Sequence, residues 1–234
     1  MLKWTTVETA RVGSSEFVLA RRGDEWVVRV DQHVLMSNRV HQSEIALAER
    51  AIERVEAPRR LLIGGLGLGY TLRATLDLLP ANAHVTVVEL VPELVTWNLK
   101  LLGHLNDSAL DDPRCEVIVG DVFDVLSRPK RAFDVVLLDS DNGPQALSQA
   151  ENQRLYSDAG TRACWNALTP GGVLGVWSAG PNAKYAARLA RFGFKSEVLR
   201  VAARTGGRAS HVLFVGTKPT GGARGTRRGS SGLR

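Results

Sequence analysis

"RRLLIGGLGLGYTLRATLD", residues Arg59 to Asp77, leads a short apolar run into a helix-like segment through four glycines within six residues. A backbone bared between a strand and a helix lets a ligand approach main-chain amides beside the positive end of the helix. The spacing narrows which ligand. Gly65 and Gly67 supply the first two glycines of G-x-G-x-x-G, but Tyr70 stands at the third, so the dinucleotide fingerprint fails by one residue. Gly65, Gly67 and Gly69, preceded by Gly64, fit G-x-G-x-G instead.

On the C-terminal side, apolar runs alternate with amphipathic stretches: "HVTVVEL", "PELVTWNLKLL", "CEVIVGD", "VFDVLSR", "FDVVLLD", "NQRLYSDAGTRACWNAL", "GGVLGVWS", "NAKYAARLARFG". This alternation predicts βαβ units and a doubly wound, mostly parallel sheet covered on both faces. The rhythm then changes. "KSEVLRVAAR" and "SHVLFVGTK" are separated only by "TGGRA", too short for a crossover helix, so the sheet should end in an antiparallel hairpin.

On the N-terminal side, "EFVLARRGDEWVVRVDQHVLM", with Arg22-Gly23-Asp24 as a turn, predicts a small β-hairpin unit of two to four strands. "SEIALAERAIERVEAP" predicts a helix with Ser43 as N-cap, an apolar face of Ile45, Ala48, Ile52 and Val55, and Pro58 beyond its end. The expected organisation is a β unit over 1–42, a catalytic domain over 43–218 and a disordered basic Gly/Arg tail over 219–234.

The tail holds four arginines and no acid, which leaves +2 of the net charge of +6 to the rest of the chain. The charge is therefore no argument for a nucleic-acid-binding body, and the tail alone offers RNA or acidic surfaces a weak contact. No apolar run reaches the ~18 residues of a membrane span. The first residues lack the apolar core of a signal peptide, so the expected location is cytoplasmic. Cys115 and Cys164 stand far apart without ligand-spaced neighbours, which argues against a zinc site or a disulfide framework. His33, His84, His104 and His211 read as surface or packing residues, and no nucleophile elbow or phosphate-binding Lys loop is present.

Two acids follow the glycine loop at the ends of the next strands. Glu89 stands twenty residues beyond Gly69, where a carboxylate can accept hydrogen bonds from both ribose hydroxyls. Asp121, followed by the apolar Val122, can accept from an adenine amino group while Val122 packs on the ring. Loop and acids in this order predict an adenosine site at the strand C-termini, built from Gly64, Gly65, Gly67, Gly69, Glu89, Asp121 and Val122. "FDVVLLDSDNGP" then carries Asp139 out of a buried run to face the reacting group, where it can orient an amine and take its proton.

A parallel sheet that closes in an antiparallel hairpin resembles the Rossmann-like fold of class I S-adenosylmethionine-dependent methyltransferases, whose sheet has seven strands. Within that fold, "SEIALAERA", "LIGGLGLG", "VVELVPELV", "VGDVFDVL" and "FDVVLLDSDNGP" together resemble the spermidine synthase (polyamine aminopropyltransferase) family. The resemblance implies a donor of the S-adenosylmethionine type, intact or decarboxylated, bound by the loop, Glu89 and Asp121. It also implies a base role for Asp139, a small amine acceptor and a homodimer.

Three departures bear on the donor. The family's loop carries an acid where this chain has Gly67, and its Tyr-[His/Gln]-Glu appears as Gln42-Ser43-Glu44. Its loop after the fourth strand is shortened to Asp139-Ser140-Asp141-Asn142-Gly143-Pro144. An ammonium without its carboxylate loses roughly 1.5–3 kcal/mol, about ten- to a hundredfold in affinity. The expectation from sequence is thus an alkyltransferase that moves methyl rather than aminopropyl, with Asp139 as base and Glu44, His41, Asp141 and Tyr156 as acceptor-pocket residues. The alternatives are a true aminopropyltransferase, with Asp141 replacing the missing loop acid, and a non-catalytic adenosyl-binding module. No metal is expected.

Overall fold

The computed structural model describes residues 2–31, 33–128, 132–140, 144 and 154–221. The described residues form two sheets. The first is a four-stranded antiparallel meander of β1 (Thr5–Val12), β2 (Ser15–Arg22), β3 (Glu25–Val30) and β4 (His33–Ser37). It realises the upper end of the two-to-four-strand expectation, with the turn after Arg22 where predicted.

The second sheet has seven strands: β5 (Arg60–Gly64), β6 (His84–Glu89), β7 (Cys115–Val119), β8 (Phe133–Leu138), β9 (Leu168–Ser178), β10 (Lys195–Ala202) and β11 (Ser210–Thr217). Their order is β10-β11-β9-β8-β5-β6-β7. The pairs β5–β6, β5–β8, β6–β7 and β8–β9 are parallel, while β11 pairs antiparallel with both β9 and β10. This is the doubly wound sheet with a terminal hairpin that the alternation of apolar runs predicts.

The continuous apolar runs are explained by cover on both faces. Leu61, Ile63, Val135 and Leu137 point to one core, against Leu47, Ala48 and Ala51 of α1 (Gln42–Ile52) and Leu72 and Leu76 of α2 (Tyr70–Leu78). Leu62, Val136 and Leu138 point to the other, formed with α4 (Val122–Leu126), α5 (Asp158–Ala167) and α6 (Ala183–Arg191). α1 lies close on β9 because Gly175 has no side chain: a Cβ there would stand 3.1 Å from Leu47 Cδ1 and 3.3 Å from Ala51 Cβ. That contact sets the N-terminal turn of α1, with Ser43 and Glu44, at the C-terminal edge of the sheet.

A third core joins the two sheets. Phe17, Leu19, Trp26 and Val28 pack on Leu68 after the glycine loop and on Val91, Leu94, Trp97 and Leu102. The small sheet is thereby a roof over the loop.

Two local expectations are corrected. The segment expected as one helix, "PELVTWNLKLL", is α3 (Pro92–Trp97) followed by a π-helical turn, Asn98–Leu102. Asn98 uses that turn to donate from Nδ2 to Gly67 O (2.9 Å) and Leu94 O (2.8 Å), while Asn106 Nδ2 donates to Leu68 O (2.8 Å) and Asn98 Oδ1 (2.8 Å). The buried amide pair buttresses the glycine loop from beneath. Ser43 is not the N-cap of α1; His41 occupies that position without a side-chain cap bond, and the Ser43 hydroxyl is engaged elsewhere.

Among the described residues, no helix is long and apolar enough to cross a membrane, and no group of His, Cys, Asp or Glu could hold a metal ion. Residues 222–234, most of the expected tail, lie outside the described residues, as do Asp141, Asn142 and Gly143.

Candidate active site

The glycine loop leaves β5 and reaches α2 along the roof. Gly65 adopts φ +95, and a Cβ there would collide with the backbone carbonyl oxygen of Asp139, so glycine at this position lets β5 and the segment after β8 run side by side. Gly64 serves close approach as well, because a Cβ would stand 2.8 Å from Val122 Cγ2. Gly67, at φ +54, presents its bare Cα to β4: a Cβ would stand 3.5 Å from Met36 Sδ.

Below the roof, a crevice of about 90 Å³ is lined by Gly65, Gly67, Glu89, Asp121, Val122 and Asp139, among others. The structure thus brings together five of the seven expected adenosine-site residues; Gly64 packs against Val122 and Gly69 caps α2 over Asn106, neither in the lining. Glu89 is buried and held by two backbone amides, Leu66 N–H to Oε2 (2.8 Å) and Val91 N–H to Oε1 (2.9 Å). Asp121 is the N-cap of α4 through Phe123 N–H to Oδ1 (2.7 Å), which positions it at the crevice beside Val122. A cap of this kind is worth about 1 kcal/mol.

A second cavity, of about 300 Å³, shares Leu35, Met36, Gly67, Asp139 and Ser140 with the crevice and adds Glu44, Tyr70, Trp177 and His211. Its acids come from two elements. Asp139 follows β8, its amide bonded to Gly64 O (2.8 Å) and its Oδ2 accepting from the buried hydroxyl of Thr71 on α2. Glu44 stands on α1; burial, and then the charge of Asp139, pushes its carboxyl up to about 8, against an ordinary 4.5. Burial and Glu44 push the Tyr70 phenol up to about 12. A cavity in which the charge of Asp139 raises the proton affinity of Glu44 suits a cation that offsets that charge.

Ser43 lies fully buried behind Glu44. Its Oγ donates to Glu44 Oε2 (2.7 Å), accepts from Trp177 Nε1–H (3.0 Å) and stands 2.8 Å from His211 Nδ1. His211 also packs edge-on against Trp177, with ring centroids 4.6 Å apart.

Two acceptor-pocket expectations need adjustment, and a third falls outside the described residues. His41 does not line the cavity: its ring stacks on Tyr70 at 4.1 Å, with Nδ1 2.9 Å from Asn38 O, so it backs a wall residue. Tyr156 is buried outside the lining, with its hydroxyl 2.9 Å from Ser140 Oγ and its ring edge-on to Tyr185; it supports the Asp139–Ser140 segment. Asp141 lies outside the described residues. His211, read from sequence as a surface or packing residue, lines the cavity, and Tyr70, Thr71, Trp177 and Met36 were missed.

A family model described as the spermine/spermidine synthase domain matches residues 42–186, the stretch that carries the loop, Glu44, Glu89, Asp121 and Asp139. The chain belongs to this family. Among curated relatives, polyamine aminopropyltransferase 2 of Pseudomonas aeruginosa is 35% identical over 134 residues, 56% of this chain and 36% of the relative. Polyamine aminopropyltransferase of Aeropyrum pernix is 30% identical over 187 residues, 74% of this chain and 58% of the relative. The chain therefore spans less than two thirds of the length of these relatives.

Among solved structures, a crystal structure of spermidine synthase in complex with the transition state analogue AdoDATO superposes with a TM-score of 0.77 at 20% identity, over 92% of this chain and 74% of that one. Spermidine synthase from Thermotoga maritima superposes with a TM-score of 0.75 at 18% identity, over 92% and 73%. The spermine/spermidine synthase fold thus extends through the small sheet and the terminal hairpin, beyond the family-model match.

Proposed function

We propose that this spermine/spermidine synthase family member transfers the aminopropyl group of decarboxylated S-adenosylmethionine to a small primary amine. The observation that carries the reading is the acid-lined cavity of Glu44 and Asp139, opening beside the crevice of Glu89 and Asp121 and sharing Asp139 with it. Relatives named polyamine aminopropyltransferase support the same chemistry.

The expectation of methyl rather than aminopropyl transfer rested on three departures, the missing acid at Gly67, the altered Gln42-Ser43-Glu44 and the shortened loop from Asp139, and it gives way here to the relatives and the acid-lined cavity. Negative charge for a cationic donor arm and a cationic acceptor comes from Asp139, which both cavities share, and from Glu44 in the second cavity once a bound cation draws off its proton. Met36 covers the position that the missing acid would take.

The donor supplies a carbon activated by a positively charged sulfur. Asp139, oriented by Thr71, receives the acceptor ammonium and takes one proton from it. The freed nitrogen lone pair forms the new C–N bond as the C–S bond breaks and its electron pair stays on sulfur. Glu89 and Asp121 hold the nucleoside so that the carbon lies in line with the amine. The products are a neutral thioether and a secondary ammonium, and the proton taken by Asp139 must leave before the next turnover.

The test incubates the full chain with 1,4-diaminobutane and either decarboxylated or intact S-adenosylmethionine, with products read by mass spectrometry. An aminopropylated diamine from the decarboxylated donor is expected. A methylated product from the intact donor, or no binding of either donor by calorimetry, overturns the reading.

A further inference from the structure

We propose that His211 is the outlet of a proton relay, Glu44–Ser43–His211, that removes from the cavity the proton given up by the acceptor amine. The inference rests on the amine-transfer reading above and deepens it. His211 acts as a positioning residue, through Ser43 and Glu44, and it lies outside residues 42–186 that the family model matches.

The geometry begins at the fully buried Ser43 hydroxyl, which has one proton and two lone pairs. Trp177 Nε1–H is a donor only and occupies one lone pair in every state. One O–H and one lone pair remain for Glu44 Oε2 at 2.7 Å and His211 Nδ1 at 2.8 Å. Two arrangements satisfy all three groups. With Glu44 ionised, Ser43 donates to the carboxylate and accepts from a protonated His211 Nδ1. With Glu44 protonated, the carboxyl donates to Ser43, and Ser43 donates to a bare His211 Nδ1.

The two arrangements differ by the transfer of one proton from carboxyl to imidazole across the hydroxyl. Neither leaves a buried polar group unpaired, so neither bears the penalty that would lock the other in place. The ends of the relay are suited to their places. Glu44 shares the cavity with Asp139 and holds a proton at neutral pH; once that proton has passed through Ser43 to His211, the emptied carboxylate takes up the proton that Asp139 received from the amine. His211 is half-buried at the cavity lining together with the exposed Val34, and burial lowers its proton affinity, so it passes the proton on to water.

The groups around the relay are few. Glu44 faces Asp139 and Tyr70, with His41 stacked behind Tyr70. On the strand side, His211 pairs with Val201 of β10, Arg200 pairs with Val212, and Trp177 of β9 stands edge-on.

Two measurements on the full chain test the relay. In the first, the His211 imidazole is titrated by NMR in the wild type, Glu44→Gln and Ser43→Ala. A midpoint shifted by about half a pH unit or more in both variants is expected, and an unchanged midpoint in Glu44→Gln overturns the relay whatever the catalytic activity. In the second, His211→Gln, which can still hydrogen-bond Ser43 but cannot carry a proton, is assayed with decarboxylated S-adenosylmethionine and 1,4-diaminobutane. A fall in kcat of about tenfold or more, a diamine KM within about threefold of wild type and a displaced pH profile are expected. Wild-type kcat and pH profile in His211→Gln overturn the relay. Absence of product in the wild type itself overturns the functional reading, and the titration then decides by itself whether Glu44 and His211 are coupled.

Discussion

Glu44 and Asp139 line one cavity from different sides of the fold, and burial together with the charge of Asp139 pushes the Glu44 carboxyl up to about 8. Thr71 stands at the junction, its hydroxyl donating to Asp139 and lying 3.5 Å from the Glu44 carbonyl oxygen. The first helix, the second helix and the end of β8 thus meet at a single acidic point.

That coupling makes stability depend on pH in a defined direction. Between 4.5 and about 8 the folded chain holds a proton on Glu44 that the unfolded chain has lost. Stability therefore falls as pH rises through that window, by at most about 1.4 kcal/mol per pH unit from this group. Glu44→Gln should flatten the slope between pH 5 and 8 in denaturant titrations. An unchanged slope would show that Glu44 titrates as an ordinary carboxyl.

Asp139→Asn should act on two observables at once. Removing the charge takes a charge-assisted bond from the amine, so affinity for 1,4-diaminobutane should drop about ten- to a hundredfold by calorimetry at pH 7. The same change relieves Glu44 and narrows the pH window of the preceding prediction from its alkaline side. A variant that binds the diamine as wild type does would remove Asp139 from the acceptor site.

How much of this was readable in the sequence follows from how local each signal is. The parallel sheet is written in continuous runs such as Leu61–Ile63 and Val135–Leu138, which need cover on both faces, and the terminal hairpin in the shortness of the link between β10 and β11. The glycine loop, Glu89 and Asp121 are local too, because each closes a strand whose C-terminal end forms the crevice. Ser43 and His211 are not. They stand 168 residues apart and meet only because α1 is drawn onto β9 at Gly175, beside β11. A serine preceding an apolar helical face has the pattern of an N-cap, and nothing nearby reveals that Glu44, Trp177 and His211 engage its hydroxyl. The π-helical turn that aims Asn98 at the loop is equally silent, since its residues continue an ordinary helical pattern.

Gly65→Ala tests the contact between the loop and the base. The substitution puts a Cβ at φ +95 against the carbonyl oxygen of Asp139, and backbone on both sides leaves no flexible atom to yield. A loss of about 3 kcal/mol is expected from strain and displacement together, seen as a lowered Tm. Donor binding should fall further than stability predicts, because Asp139 moves with the loop. A variant with wild-type Tm would show that the two segments are looser than their packing indicates.

Gly67→Asp asks whether the missing loop acid can be restored. At φ +54 an aspartate is among the residues best tolerated after glycine, and its Cβ would meet only Met36, at 3.5 Å from Sδ and 3.9 Å from Cε, ordinary contact distances. The new carboxylate would stand where the two cavities share their wall. It should favour a donor whose arm ends in an ammonium and oppose one whose arm also carries a carboxylate. Calorimetry should show affinity for decarboxylated S-adenosylmethionine rising about tenfold, roughly 1.4 kcal/mol, relative to that for the intact molecule. If both donors change equally, the arm does not pass Gly67, and Asp139 and Glu44 alone receive its charge. Met36→Ala separates the terms: it frees the space at Gly67 without adding charge, so it should leave the ratio of the two affinities near that of the wild type.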